Sequence, residues 1–397
     1  MIKFPENVKT IAKILSDAGF CAYAVGGCVR DSILGRIPGD WDMTTSARPD
    51  QMLEVFAAAG IRTIPTGLKH GTVSVLIDNV TYECTSFRID GEYTDSRHPD
   101  KVTFTSNIAD DLARRDFTVN AMAARPTDDD DCEIIDLFGG CEDISNKIIR
   151  CVGNPEKRFE EDALRILRAV RFAAVLGFEI EENTKKSARK MRSGLAMVSA
   201  ERKKVELEKT LLCDNADYGI SLLFELGLDE FIHKDIIKPS MPLCSLPKSF
   251  ACRFAALFGA DAAPSLASLK LSRIEEKQIN LTCAREQYSD ELTDRNARRL
   301  LSRLGDCAEG AALLRGNSDL AQLIRSERTK NPCVKISDLN VSGNDVISAG
   351  VPARYVGSVM NSLLELVIDD PSLNTKKALT DRAADIFKSI KGAEKNV

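Results

Sequence analysis

Histidine is scarce in this chain, with three in 397 residues, and the twelve cysteines include no C-x-x-C pair. With no H-x-x-x-H and no Cys/His cluster, the spacings that hold zinc are missing, and no zinc site is expected. No apolar run approaches the ~18 residues of a membrane helix, and the opening MIKFPENVKT has no signal-peptide core, so no membrane association is expected. Positive charge is not in excess. Lys and Arg number 54 against 59 Asp and Glu, a net charge of −5, which excludes a uniformly basic nucleic-acid binder and leaves any such contact to local patches. Internal repeats and low-complexity tracts are missing too. The scattered thiols fit a reducing compartment and a cytoplasmic protein. What remains is 44% hydrophobic and 28% charged, ordinary for a globular chain and long enough for about two to four domains.

The richest stretch runs from Gly26 to Thr45, GGCVRDSILGRIPGDWDMTT. Gly26 and Gly27 follow an apolar strand, Ala22 to Val25, and precede an amphipathic helix, Val29 to Leu34. Paired glycines there let backbone N–H groups approach a triphosphate. Asp40 and Asp42 alternate, so a strand over Asp40 to Met43 would send both carboxylates from one face of a sheet. Two hard oxygen ligands on one face suit Mg²⁺, which completes its shell with water and substrate phosphates.

The string G-G-x-V-R-D-x-x-L-G-R-x-P-x-D-W-D-x-x-T resembles the signature of the CCA-adding enzymes and bacterial poly(A) polymerases, class II nucleotidyltransferases. Three further blocks, RRDFTVNAM at Arg114 to Met122, IDLFGGCEDI at Ile135 to Ile144 and VGNPEKRFEEDALRILRAVRFAA at Val152 to Ala174, resemble that family in its order, as does a weaker SAERKKVELEK at Ser199 to Lys209. The resemblance implies an α+β protein, a polymerase-β-like head with a small β-sheet followed by all-α neck, body and tail. The patterning agrees, with strand alternation in the first ~140 residues, including a hairpin of Val73 to Ile77 with Thr81 to Ser86 and a strand at Val102 to Thr105. Helical spacing follows almost throughout. Boundaries are expected at 1–141 for the head, 142–210 for the neck, 211–265 for the body and 266–397 for the tail, with Pro-bearing breaks at Lys238 to Lys248 and around Pro264.

By analogy with the family, Arg115, Asp116 and Asn120 in RRDFTVNAM resemble a ribose-contacting motif; read alone, an Arg-Asp neighbour pair is a surface ion pair. Asp162 and Arg165 in Glu161-Asp162-x-x-Arg165 are three apart, which on one helix puts them on one face. Cytosine presents an N4 amino donor and adenine an N6 amino donor, so an Asp acceptor serves both, while uracil and guanine place a carbonyl oxygen there. The pair therefore predicts CTP and ATP selection without a nucleic-acid template; the alternative is a plain helix salt bridge. Arg168 and Arg171 on the same otherwise apolar helix point to an internal cleft with phosphates. Two Mg²⁺ ions held by Asp40 and Asp42 would serve nucleotidyl transfer. Glu83 is the candidate third carboxylate, or else an exposed strand residue. Arg30 is expected at the triphosphate, or paired with Asp31.

Two basic tracks could meet RNA phosphates: Lys185, Lys186, Arg189, Lys190 and Arg192, and Arg295, Arg298, Arg299 and Arg303. Ordinary solvated helix faces are the alternative. The resemblance implies a tRNA 3′ end as acceptor. The region between Phe87 and Arg114 resembles the flexible loop of relatives that finish with A, which favours complete CCA addition over CC addition. A-addition, poly(A) tailing and an inactive RNA-binding relative remain as alternatives.

Overall fold

The strand alternation of the N-terminal third closes into one mixed sheet. In this computed structural model, which describes residues 2–91, 102–127, 132–258, 266–284 and 288–394, the chain forms two compact units, Met1–Lys234 and Asp235–Val397. The first unit holds strands β1 (Ala22–Val25), β2 (Met43–Thr45), β3 (Arg62–Gly67), β4 (Thr72–Ile77), β5 (Val80–Ser86), β6 (Arg88–Asp90), β7 (Val102–Phe104), β8 (Met122–Pro126) and β9 (Cys132–Asp136). Among the described residues seven of these form a sheet in the order β3-β4-β5-β2-β1-β8-β9, and β6 and β7 form a separate ribbon. All four residues of β1 are buried, as suits a strand flanked on both edges.

β4 and β5 make the expected hairpin. Ile77 lies opposite Val80, and Asp78 and Asn79 take φ of 50° and 63°, the positive values a two-residue turn requires. β2 runs antiparallel to β1 and parallel to β5, with Met43 opposite Cys84. The strand expected from Asp40 starts only at Met43. Pro38 and Gly39 immediately upstream favour a turn, and Asp42 contributes only its carbonyl, which accepts the Val25 N–H at 2.9 Å. Strand alternation therefore does not set the direction of the two carboxylates.

The helices of this unit are α1 (Glu6–Asp17), α2 (Gly27–Ile33), α3 (Pro49–Ala58), α4 (Ile108–Ala113), α5 (Gly140–Asn146), α6 (Pro155–Glu161), α7 (Leu164–Leu176), α8 (Glu182–Met191), α9 (Ala200–Leu211) and α10 (Ala216–Glu225). Asn154 caps α6 by accepting the Lys157 N–H, with Pro155 at the first helical position. Gly177, at φ 71°, ends α7. Buried on most of its faces, α7 packs against α9 and α10.

Among its described residues the second unit carries helices and no strand: α11 (Phe250–Ala255), α12 (Arg273–Cys283), α13 (Asp294–Leu304), α14 (Ala308–Leu314), α15 (Ser318–Thr329), α16 (Gly343–Ser348), α17 (Val356–Asp369) and α18 (Lys376–Glu394). One of its cores gathers Val359, Leu363, Val367 and Leu379. The expected break around Pro264, and the middle of the Phe87 to Arg114 loop, lie outside the described residues. Among the described residues no helix is long and apolar enough to cross a membrane.

Candidate active site

Extending the parallel register of β2 and β5 by one residue sets Asp42 opposite Glu83. Glu83 is indeed an exposed strand residue, and it is also a neighbour of the D-x-D. Asp42 is open to solvent, yet its carboxyl is pushed up to about 6. Surrounding protein mass is the largest cause, the like charges of Asp40 and Glu83 add to it, and Arg115 opposes it. Asp40 and Glu83 thus lie near enough for their charges to act on the Asp42 carboxyl, with Arg115 as the opposing positive charge. No group of three or more His, Cys, Asp or Glu side chains is drawn to ligating distance among the described residues. Mg²⁺ needs only one or two carboxylates, and the crowding at Asp42 is the kind a cation relieves, so Asp40 and Asp42 fit such an ion.

The glycine pair stands beside this cluster. Gly26 adopts φ 82° and ψ −126° and donates its N–H to the Met122 carbonyl at 3.0 Å. A Cβ at Gly26 would meet Arg115 Nη1 at 3.0 Å, and one at Gly27 would meet Arg30 Nη2 at 3.6 Å. Arg30 is nearly buried and engaged. Its Nε and Nη2 donate to Asp31 at 2.9 and 2.8 Å, and its Nη1 donates to Asn120 Oδ1.

From Asn120 the network passes to the ribose-type block. Asn120 Nδ2 reaches Asp116 Oδ1 at 3.4 Å, and Asp116 Oδ2 accepts from Arg168 Nε at 2.7 Å. Burial works to raise the Asp116 carboxyl, but the Arg168 guanidinium outweighs it and holds the group below the usual carboxylate range. The tandem arginines are fixed by Asp111, which is fully buried. It accepts Arg114 Nε and Nη2 at 3.0 and 2.8 Å and Arg115 Nη2 at 3.3 Å, and receives the Thr44 hydroxyl at 3.3 Å. Asp111 stands three and four residues before the two arginines, a helical spacing that marks it in the sequence as their partner.

The Glu161-Asp162-x-x-Arg165 block departs from expectation. Asp162 and Arg165 do not share a helix face, because the chain breaks between α6 and α7. Asp162 is extended at φ −150° and ψ 102°, and its Oδ1 accepts the Leu164 N–H at 3.1 Å. A side chain that satisfies a free N–H of the next helix favours a new start over continuation. Asp162 pairs instead with Arg202 of α9, Nη1 to Oδ1 at 3.2 Å and Nη2 to Oδ2 at 2.6 Å. Arg165 donates to Glu161 at 2.7 Å and to the carbonyls of Arg158 and Arg114 at 3.1 and 3.2 Å.

Arg168 and Arg171 are also paired rather than left for phosphates. Glu206 of α9, 5% exposed, forms an ion pair with Arg171 at 3.0 Å and stands 3.8 Å from Arg168. Phe172 carries three guanidinium groups around its ring, Arg171 at 4.0 Å and Arg30 and Arg168 each at 5.3 Å from the centroid. Nothing in the sequence marked Phe172, one aromatic within an apolar run. Arg202 and Glu206, four apart in SAERKKVELEK, carried a signal in their helical spacing.

The basic tracks are largely neutralised. Lys185 and Arg189 share Glu225 at 2.6 and 3.0 Å, Lys190 meets Glu156 at 2.7 Å, Lys186 meets Glu182 at 3.5 Å and Arg192 meets Glu230 at 3.6 Å. In the second unit Arg298 is buried, donating to the Ile368 carbonyl at 2.7 Å and Glu327 at 3.1 Å, and Arg299 meets Asp369 at 2.7 Å. Arg303 lies over Tyr288, and Arg295 is exposed.

Carboxylates gathered where β2 begins beside β5, a positive-φ glycine near them and a buried Arg/Asp network are the features expected of a nucleotidyltransferase head. The Poly A polymerase head domain model matches residues 22–150, and the model described as probable RNA and SrmB- binding site of polymerase A matches 177–238. The CCA-adding enzyme of Leuconostoc mesenteroides is 35% identical over 386 residues, covering 94% of both chains, and that of Bacillus subtilis is 36% identical over 392 residues, covering 94% of this chain and 96% of the relative. The crystal structure of the Bacillus stearothermophilus CCA-adding enzyme in complex with CTP superposes with a TM-score of 0.71 at 31% identity, covering all of both chains. The chain belongs to the family of CCA-adding enzymes, the tRNA nucleotidyltransferases.

Proposed function

We propose that this protein adds CCA to the 3′ end of tRNA in the cytoplasm, from CTP and ATP and without a nucleic-acid template, releasing pyrophosphate. The observation that carries the reading is that Arg115, whose charge acts on Asp42 beside Asp40 and Glu83, shares Asp111 with Arg114, whose carbonyl accepts from Arg165, while Arg30, Asn120, Asp116 and Arg168 form a hydrogen-bonded network in the same unit. Asp40 and Asp42 would hold two Mg²⁺ ions, with Glu83 as the third carboxylate. Ions held by these carboxylates would supply activation of the RNA 3′-hydroxyl and neutralisation of charge at the α-phosphate and leaving pyrophosphate. Gly26, Gly27, Arg30 and Arg115 receive the triphosphate. Asp116 and Asn120, oriented by Arg168 and Arg30, take the ribose. Asp162 accepts a hydrogen bond from the cytosine or adenine amino group, and Arg165, steadied by Glu161, donates to the adjacent ring acceptor. Arg171 braces this side through Glu206. On this reading residues 1–141 form the head, 142–210 the neck, 211–265 the body and 266–397 a tail that binds tRNA.

The test supplies the purified protein and Mg²⁺ with transcripts ending before CCA, after C and after CC, with each nucleotide singly and together. Completion to CCA, abolished by Asp40→Ala, supports the reading. Addition of A alone to the CC end would make the protein an A-adding enzyme, open-ended A tracts a poly(A) polymerase, and no incorporation an inactive RNA-binding relative.

A further inference from the structure

We infer that Arg202 is a positioning residue for base choice, fixing the Asp162 carboxylate so that a single acceptor direction, on Oδ2, faces the nucleotide. This rests on the reading of Asp162 as the base acceptor. Asp162 lies at the junction of α6 and α7 in an extended conformation, so no helix holds its side chain. Its orientation comes from two donors. Arg202 approaches as a fork, one nitrogen to each oxygen at 3.2 and 2.6 Å, and the Leu164 N–H takes Oδ1 at 3.1 Å. A two-point contact between a planar guanidinium and a planar carboxylate sets the carboxylate plane, which a single-point donor does not.

A carboxylate offers about four lone-pair sites. Three are taken by these donors, and the one left is on Oδ2. Side-chain exposures of 13% for Asp162 and 21% for Arg202 keep the pair at the edge of solvent rather than sealed in the core. One fixed acceptor complements one N–H of the amino group on cytosine or adenine, and it faces a carbonyl oxygen on uracil or guanine. Were the carboxylate free to turn, its acceptors would sweep past that carbonyl and the contrast between the bases would shrink. The helix that carries Arg202 is tied to α7, because Glu206, one turn further along α9, pairs with Arg171 and lies near Arg168. One helix thereby orients the base acceptor through Arg202 and, through Glu206 and Arg168, the ribose block at Asp116.

The experiment compares full-length wild type with Arg202→Lys, which keeps the charge and loses the fork. The readouts are kcat/KM for CTP against UTP on a transcript ending before CCA, and for ATP against GTP on one ending in CC. The expected result is a fall of at least about 10-fold in both selectivity ratios, with kcat at saturating CTP changed by less than about 3-fold. The double variant with Asp162→Ala should be no less selective than Asp162→Ala alone, since the two act through one contact. Unchanged ratios in Arg202→Lys, or equal losses for right and wrong nucleotides, overturn the inference; if Arg202→Lys does not fold, Arg202→Gln is read by the same ratios. Full selectivity in Asp162→Ala would overturn the base-reading role itself, whereas lost selectivity there beside intact selectivity in Arg202→Lys overturns only the part assigned to Arg202.

Discussion

Asp42 carries much of the electrostatic strain of the site. Its carboxyl, near 3.8 in isolation, stands at about 6 in the folded protein, so the folded state holds this proton more tightly than the unfolded one. Its contribution to stability is therefore fully present below about pH 4, is lost as pH rises through about 6, and stays lost above that. With metal removed by EDTA, Asp42→Asn should melt with wild type near pH 4 and progressively above it up to about pH 6.5, the gap then remaining constant. Melts that run parallel across pH 4 to 8 would refute the assignment, and added Mg²⁺ should raise the wild-type melting temperature more than that of the variant. Single residues were unevenly legible. Glu83 could be nominated from its place on a β-run, but whether it met the D-x-D depended on the parallel register of β2 with β5, a pairing between segments 41 residues apart that local pattern does not encode. The partner of Asp162 was hidden for the same reason, because Arg202 is 40 residues away.

At the scale of elements, turn chemistry was the most readable signal. The Asp78-Asn79 hairpin needed no tertiary information, since both residues tolerate positive φ. The break between α6 and α7 was not readable, because EEDALRILRA contains good helix formers on both sides of an Asp that can sit within a helix or cap one. The IDLFGGCEDI block, which suggested no chemistry in the sequence, is a brace. Asp136 accepts the Gly140 and Cys141 N–H groups at 2.7 and 2.8 Å, and Asp143 accepts the Thr118 hydroxyl at 2.6 Å. A Cβ on Gly140 would lie 2.4 Å from the Thr118 carbonyl oxygen and 2.8 Å from Met122 Sδ. Gly140→Ala should therefore cost about 1–3 kcal/mol in urea unfolding. By shifting the turn that carries Asn120, it should also raise the KM for nucleotide more than it lowers kcat; an unchanged KM would separate the brace from the site. Asn154→Ala, which removes the cap of α6, should cost about 0.5–2 kcal/mol in the same assay.

At the scale of the whole molecule, the order of the motifs told correctly of a sheet-bearing first part and helices after it, because strand and helix periodicities differ plainly. The ion pairs of the basic tracks were not readable from sequence, since spacing reveals where cations sit on a helix and not which glutamates from other helices meet them. Glu225 neutralises both Lys185 and Arg189, so Glu225→Gln should tighten tRNA binding and steepen its salt dependence, while Lys185→Ala should weaken binding by less than about 3-fold. Filter binding at two salt concentrations distinguishes this from a working RNA track, in which Lys185→Ala would cost far more.

The sheet order also has a consequence for how the protein is made. β1 is among the first elements synthesised, yet it lies between β2 and β8, and Ala24 pairs with Ala124, a hundred residues later. Contacts of such long range form slowly and late. On the ribosome β1 waits with one edge open until residue 126 has left the exit tunnel, and Asp162 waits for its orientation until α9 follows. On the proposed reading of Asp162 and Arg202, discrimination between bases is thus acquired late in the synthesis of the first unit, and a chain terminated before residue 200 would hold the carboxylates with no fixed means of choosing what they join.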